Sequence, residues 1–134
     1  MVTQRYRKTE GSVYNLHYHL VFCPKYRKPV LVGKVASRLK QLLQEKASEL
    51  GIEIESLEIM PDHVHLFASA PPIYAPAQIA FQFKGFSSRY LRIEFDHLRT
   101  KLPSLWSRSY YAGTAGGAPL AVSAEYVKSQ RRPA

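Results

Sequence analysis

The chain has 134 residues, enough for one domain with its own core, and its 46% hydrophobic content excludes a disordered polymer. A single cysteine, Cys23, excludes both an intrachain disulfide and a cysteine-rich zinc site. Nineteen Lys and Arg against ten Asp and Glu leave a net charge of +9, which favours a polyanionic partner, nucleic acid ahead of an anionic membrane surface.

Residues 1–11 are polar and basic and are predicted as an arm. Val13 to Phe22 is rich in aromatic and branched residues and reads as a first strand, which Pro24 ends; Lys25 to Pro29 follows as a basic loop. Val35, Leu39, Leu42, Leu43, Lys46 and Leu50 form a helical stripe that stops at Gly51. Ile52 to Ile59 is a second strand whose alternation slips near Ser56-Leu57, the mark of a bulge. His63 to Ala70 alternates cleanly as a third strand. Pro76 suits the first turn of a long helix to about Leu98, predicted to bury Ile79, Phe83, Phe86, Tyr90 and Ile93 and to turn Lys84, Arg89 and Arg92 outward. Trp106 to Thr114 reads as a fourth strand or hairpin arm. Residues 113–118 form a glycine-rich joint with Gly116 and Gly117 as its hinge, and residues 119–131 a final helix.

Strand-helix-strand-strand-helix-strand plus a terminal helix is an α+β order. It matches the ferredoxin-like (RRM-like) split βαβ arrangement, one antiparallel sheet with helices on one face. The whole chain, 1–134, is expected to be one domain. With no basic-then-apolar leader and no apolar stretch near the ~20 residues of a membrane span, a soluble, cytoplasmic protein without membrane contact is expected.

Within this frame the third strand carries the most informative residues. Side chains at i and i+2 of a strand share a face, so His63 and His65 leave the sheet together while Val64, Leu66 and Ala68 point to the core. Two imidazoles about 7 Å apart along a strand can share a divalent cation and leave positions open; two half-exposed strand histidines at a sheet edge would show the same pattern. His17 and His19 share a face of the first strand and are expected beside the pair, as strand-stabilising neighbours before ligands. Asp62 is read as shaping the turn ahead of the strand. Tyrosines interleave with bases, as in Lys25-Tyr26-Arg27-Lys28 and Ser88-Arg89-Tyr90, a combination that suits single-stranded nucleic acid. On the terminal helix Tyr126 and Gln130 are four apart and so share a face. A phenol with a pKa near 10 is only about 0.1% ionised at pH 7, so a nucleophilic Tyr126 needs metal or cationic help. With Gln130 as a third, neutral oxygen ligand the pair would complement the histidines; a surface Tyr and Gln on a fraying helix are the plain alternative.

Taken together, His19-Leu-Val-Phe22 with Pro24-Lys-Tyr-Arg27, Met60-Pro-Asp-His-Val-His-Leu66, Phe83-Lys-Gly-Phe-Ser-Ser-Arg89, Trp106 with Tyr110, and Tyr126-Val-Lys-Ser-Gln130 resemble the HUH single-tyrosine transposases of the insertion-sequence-200-like family. The resemblance runs over nearly the whole chain, and its five landmarks fall in matching order and spacing. It implies a DNA transposase that cleaves and rejoins single-stranded DNA at hairpin-marked element ends, with Tyr126 forming a 5′-phosphotyrosine. It further implies Mg²⁺ or Mn²⁺ on His63, His65 and Gln130, and a homodimer in which the tyrosine helix of one chain completes the histidine site of the other. Lys25, Arg27, Lys84 and Arg89 are chosen as DNA contacts. The rivals are a relative that processes chromosomal palindromic repeats by the same chemistry and a non-catalytic nucleic-acid binder. A metal-dependent hydrolase is weaker, because no carboxylate cluster accompanies the histidines.

Overall fold

In the computed structural model, which describes residues 6–114 and 119–130, the elements run β1 (Arg7–Thr9), β2 (Ser12–Tyr14), β3 (His17–Phe22), α1 (Gly33–Leu50), β4 (Glu53–Met60), β5 (His63–Ser69), α2 (Pro76–Glu94), α3 (Asp96–Thr100), β6 (Tyr111–Thr114) and α4 (Pro119–Ser129). Four strands form one antiparallel sheet in the order β4-β5-β3-β6. The sheet's inner face and helices α1 and α2 enclose a core of Leu20, Phe22, Leu39, Leu43, Val64, Leu66, Ile79 and Phe83, all at most 2% exposed. This is the expected α+β, ferredoxin-like arrangement. The terminal helix α4 lies against β3 and β6. Among the described residues no helix is long and apolar enough to cross a membrane.

The local devices are those the residues dictate. Gly51 takes φ 70° after α1, where a side chain would be strained, and Ile52 N donates to Ala47 O at 2.8 Å, so the helix ends in a Schellman-type cap. The bulge in β4 falls between Ile54 and Ser56, one step before the predicted slip. It shifts the alternation so that Leu57 and Ile59 turn inward beside Leu66 and Val64.

Three expectations need correction. The predicted arm is a hairpin from residue 7 onward: β1 pairs with β2 across Glu10-Gly11, and Arg7 ties it to the sheet through Ser69 Oγ at 3.1 Å and an ion pair with Glu53. The first strand is divided at Asn15-Leu16, where Asn15 Oδ1 lies 2.7 Å from His17 Nε2. The long helix breaks at Phe95, and α2 is rotated relative to the predicted face: it buries Ile79, Ala80, Phe83, Ser87 and Leu91, leaving Phe86 half-buried and Tyr90 and Ile93 exposed. A polar residue at the centre of the buried stripe hides that stripe from a hydrophobicity count. Ser87 Oγ donates to Phe83 O at 2.7 Å and accepts from Trp106 Nε1 at 3.0 Å, so its burial is satisfied.

Candidate active site

Strand β5 presents its histidines as the alternation requires. Val64 and Leu66 are fully buried, whereas His63 and His65 stand half-buried on the opposite face. Register places Glu58 of β4 and Val21 of β3 on either side of His65, with His19 opposite Phe67 one step along. His19 is more than a strand neighbour, because its Nδ1 lies 3.1 Å from His65 Nε2 and its ring packs on Phe67 with centroids 4.5 Å apart. Burial lowers the pKa of His65, with His63 adding to the effect and Glu58 opposing it. Burial, and then His65, lower that of His19. Both rings are therefore neutral at pH 7, the state in which an imidazole has a lone pair to offer.

The sequence reading missed the partners of His63. Asp62, read there as a turn former, holds His63 Nδ1 through Oδ1 at 2.9 Å and pairs through Oδ2 with Arg27 Nε at 3.1 Å. A carboxylate on Nδ1 keeps the proton there and leaves Nε2 as the outward lone pair. Arg27 reaches Asp62 from a 3-10 turn at Lys25–Arg27 in which Tyr26 and Arg27 adopt φ of 59° and 51°. That left-handed backbone costs a side-chain-bearing residue roughly 1–2 kcal/mol. It is held by Arg27 N donating to Pro24 O and Lys25 N to Leu105 O, both at 2.8 Å.

The tyrosine side is built on residues 105–109. Backbone bonds from Lys25 to Leu105 and from Ser107 to Cys23 zip this segment to the end of β3. Lys84 Nζ then gathers three successive carbonyls, of Ser107 at 2.7 Å, Arg108 at 3.4 Å and Ser109 at 3.2 Å. Ser109 Oγ lies 2.8 Å from Tyr126 Oη, and Gln130 Oε1 accepts from Ser107 at 3.4 Å and Ser109 at 3.3 Å. Tyr126 and Gln130 thus share a helix face as predicted, and that face meets the two serines. Burial raises the Tyr126 pKa above its ordinary value, with the Ser109 hydrogen bond pulling the other way. The histidine cleft, about 350 Å³, is closed by a different face of α4, that of Ala124, Val127 and Lys128. A Ser-x-Ser pair on an extended segment is the one sequence signal that could have marked 107 and 109.

A divalent cation suits the pair: two imidazoles on one face, one oriented by a carboxylate. Among the described residues no third His, Cys, Asp or Glu joins them in a ligating cluster. A cation held there would take its other ligands from an amide, water or substrate.

The four basic residues chosen as DNA contacts occupy different settings. Arg89 is exposed beside the Tyr90 ring, and Lys25 stands near the Tyr26 ring at 5.5 Å. Lys84, its pKa lowered by burial, and Arg27 are both engaged inside the protein. Cys23 is buried, its pKa pushed up to about 11, which makes it a core thiol and not a second nucleophile. Gly116 and Gly117 lie outside the described residues.

Comparison with known proteins places this geometry. A family model described as "Transposase IS200 like" matches residues 12–130. The ISDra2 transposase TnpA of Deinococcus radiodurans is 41% identical over 126 residues, covering 92% of this chain and 90% of that protein. The transposase for insertion sequence element IS200 of Salmonella typhimurium is 29% identical over 119 residues, covering 87% of this chain and 78% of that protein. A crystal structure of a candidate transposase from Deinococcus radiodurans R1 superposes with a TM-score of 0.88 at 36% identity, over 95% of this chain and 99% of that one. A REP-associated tyrosine transposase bound to a REP hairpin shares the fold at TM-score 0.54 and 13% identity, over 97% of this chain and 70% of that one.

Proposed function

We propose that this chain, which belongs to the IS200-like transposase family, cleaves and rejoins single-stranded DNA at hairpin-marked ends through a covalent bond to Tyr126. The observation that carries the reading is the pairing of a histidine face on β5 with a helix bearing Tyr126 and Gln130 against the same side of the sheet. The tyrosine oxygen attacks the phosphorus and the P–O3′ bond breaks. The departing O3′ takes up a proton, and the phosphate stays on Tyr126 as a 5′-phosphotyrosine. In rejoining, a 3′-hydroxyl attacks that phosphorus and the tyrosine oxygen leaves and is reprotonated. One phosphodiester replaces another, so no nucleotide cofactor is called for. The phenol proton passes to solvent as the new P–O bond forms, and Ser109, 2.8 Å from the phenol oxygen, holds the side chain in its docked position beforehand.

His63, His65 and Gln130 would hold Mg²⁺ or Mn²⁺, which when bound polarises the phosphoryl group and lowers the barrier to attack by a largely un-ionised phenol. Gln130 is now engaged by serines. Its recruitment to the histidines therefore involves movement of α4, either within the chain or onto the histidine face of a second copy in a homodimer. Hairpin recognition is supported by the fold neighbour that holds a REP hairpin and by the +9 charge.

The test is incubation with single-stranded candidate ends and Mn²⁺, followed by denaturing electrophoresis. A covalent protein–DNA adduct that disappears in Tyr126→Phe and in chelator is expected, with hairpin binding retained. An adduct mapped to Tyr110 or Tyr111 would refute the assignment, and binding without any adduct would favour a non-catalytic binder. Mixing Tyr126→Phe with His63→Ala/His65→Ala subunits should restore cleavage if sites are shared; verified but inactive heterodimers would overturn the sharing.

A further inference from the structure

We infer that Asp62 and Arg27 are positioning residues that tie the orientation of the His63 imidazole to the docking of the helix carrying Tyr126. The two oxygens of Asp62 serve opposite directions, Oδ1 in a hydrogen bond with His63 Nδ1 at 2.9 Å and Oδ2 in an ion-pair contact, without a hydrogen bond, to Arg27 Nε at 3.1 Å. The same guanidinium donates from Nη1 to Val127 O at 3.0 Å. Val127 follows Tyr126 directly, and its carbonyl also accepts from Gln130 N at 3.1 Å, so Arg27 grips the turn that carries both functional side chains. A guanidinium is planar and rigid, so Nε and Nη1 move together. Displacing α4 therefore displaces an ion-pair partner of Asp62, the carboxylate that holds the imidazole. The side chains are screened from water, at 23% exposure for Arg27, 19% for Asp62 and 25% for His63, unlike a surface ion pair with independent, solvated ends. The turn at residues 25–27 places Arg27 through a left-handed backbone, and such conformations persist where the surroundings over-determine them. Asp62 itself sits in the two-residue turn between β4 and β5, where Leu31 N donates to Pro61 O at 3.0 Å and fixes the loop. Arg27, chosen from sequence as a DNA contact, is by this geometry a connector.

The functional meaning of the link rests on the proposed chemistry at His63 and Tyr126, but its test does not. The full chain, free of DNA and metal, would be followed by imidazole ¹⁵N NMR for the His63 tautomer and by amide hydrogen exchange across α4. Arg27→Ala should accelerate α4 exchange severalfold and shift His63 away from the Nδ1–H tautomer. Arg27→Lys keeps one cationic head, so it should preserve the tautomer while still accelerating α4 exchange. Asp62→Asn should change the tautomer and loosen α4 in the same protein, and exposed Lys40→Ala on α1 should change neither. Unchanged α4 exchange in both Arg27 variants, or an unchanged tautomer in Arg27→Ala and Asp62→Asn, would overturn the coupling. Loss of the covalent adduct in Tyr126→Phe tests the chemistry alone, so the two ideas fail separately.

Discussion

Strand β5 is paired along both edges, with β3 and with β4, and drives Val64, Leu66 and Ala68 into the core at 2% exposure or less. Helix α4 meets β3 and β6, and its described hydrogen bonds are Arg27 to Val127 O, Ser109 to Tyr126, and the two serines to Gln130. A buried Val or Leu contributes roughly 1.5–3 kcal/mol by leaving water, whereas a typical hydrogen bond nets about 1 kcal/mol against solvent. The histidines therefore ride on a core-anchored platform, whereas the described hold on Tyr126 and Gln130 is made of hydrogen bonds that solvent can replace. Under the proposed chemistry, that division would let a DNA end held on Tyr126 be handed on.

The largest effect tests whether the platform's function is separable from its stability. His63→Ala or His65→Ala should reduce cleavage by several orders of magnitude while the melting temperature changes little, since both rings stand on the open face; a collapse of the fold would show the two to be inseparable. Next comes the platform itself. Leu66→Ala should destabilise the protein by about 2–5 kcal/mol in chemical denaturation, the range for deleting a fully buried leucine. A loss under 1 kcal/mol would deny β5 its special status.

An alkaline test separates core from helix. The Cys23 thiol titrates at about 11 in the folded chain against 9.0 unperturbed, because burial disfavours the thiolate. The folded state therefore holds its proton longer, so the stabilisation is complete below pH 9 and is lost as pH rises through 11. Between pH 8 and 10.5 unfolding should become easier by about 2 kcal/mol, a dependence that Cys23→Ala should flatten. Tyr126 shifts in the same direction, so α4 should loosen above pH 10 in hydrogen exchange, and Tyr126→Phe should remove that response. The smallest effect falls on the helix's polar latch: Ser109→Ala should weaken α4 docking by about 1 kcal/mol, read as faster exchange across α4 with that of β5 unchanged. Equal acceleration in both would mean that the two regions open as one unit.

How much was legible follows from where the information lies along the chain. The face of β5 was readable because a period of two is set locally by the pleat, and Gly51 announced the end of α1 because its left-handed conformation is a single-residue property. The core face of α2 was misread because Ser87 is buried by a partner nineteen positions away, Trp106, which no local count contains. Lys84 and Arg27 were taken for solvent-facing cations for the same reason, since their partners are backbone carbonyls and a carboxylate brought from distant segments.

The sequence by itself determined the order of the four sheet strands and of helices α1, α2 and α4, the shared face of His63 and His65, the shared face of Tyr126 and Gln130, and through its five landmarks the family. The elements and shared faces depend on repeats or spacings within a few residues, where backbone geometry acts directly, and the family on short motifs of that kind in a fixed order. Only the tertiary structure decided that Asp62 orients His63, that Arg27 joins Asp62 to Val127, and that Tyr126 and Gln130 rest on Ser109. Those are matters of which polar groups meet once the chain closes. A charged or hydroxyl side chain carries no local signature of its partner, because its free energy depends on what desolvates and neutralises it in the folded molecule.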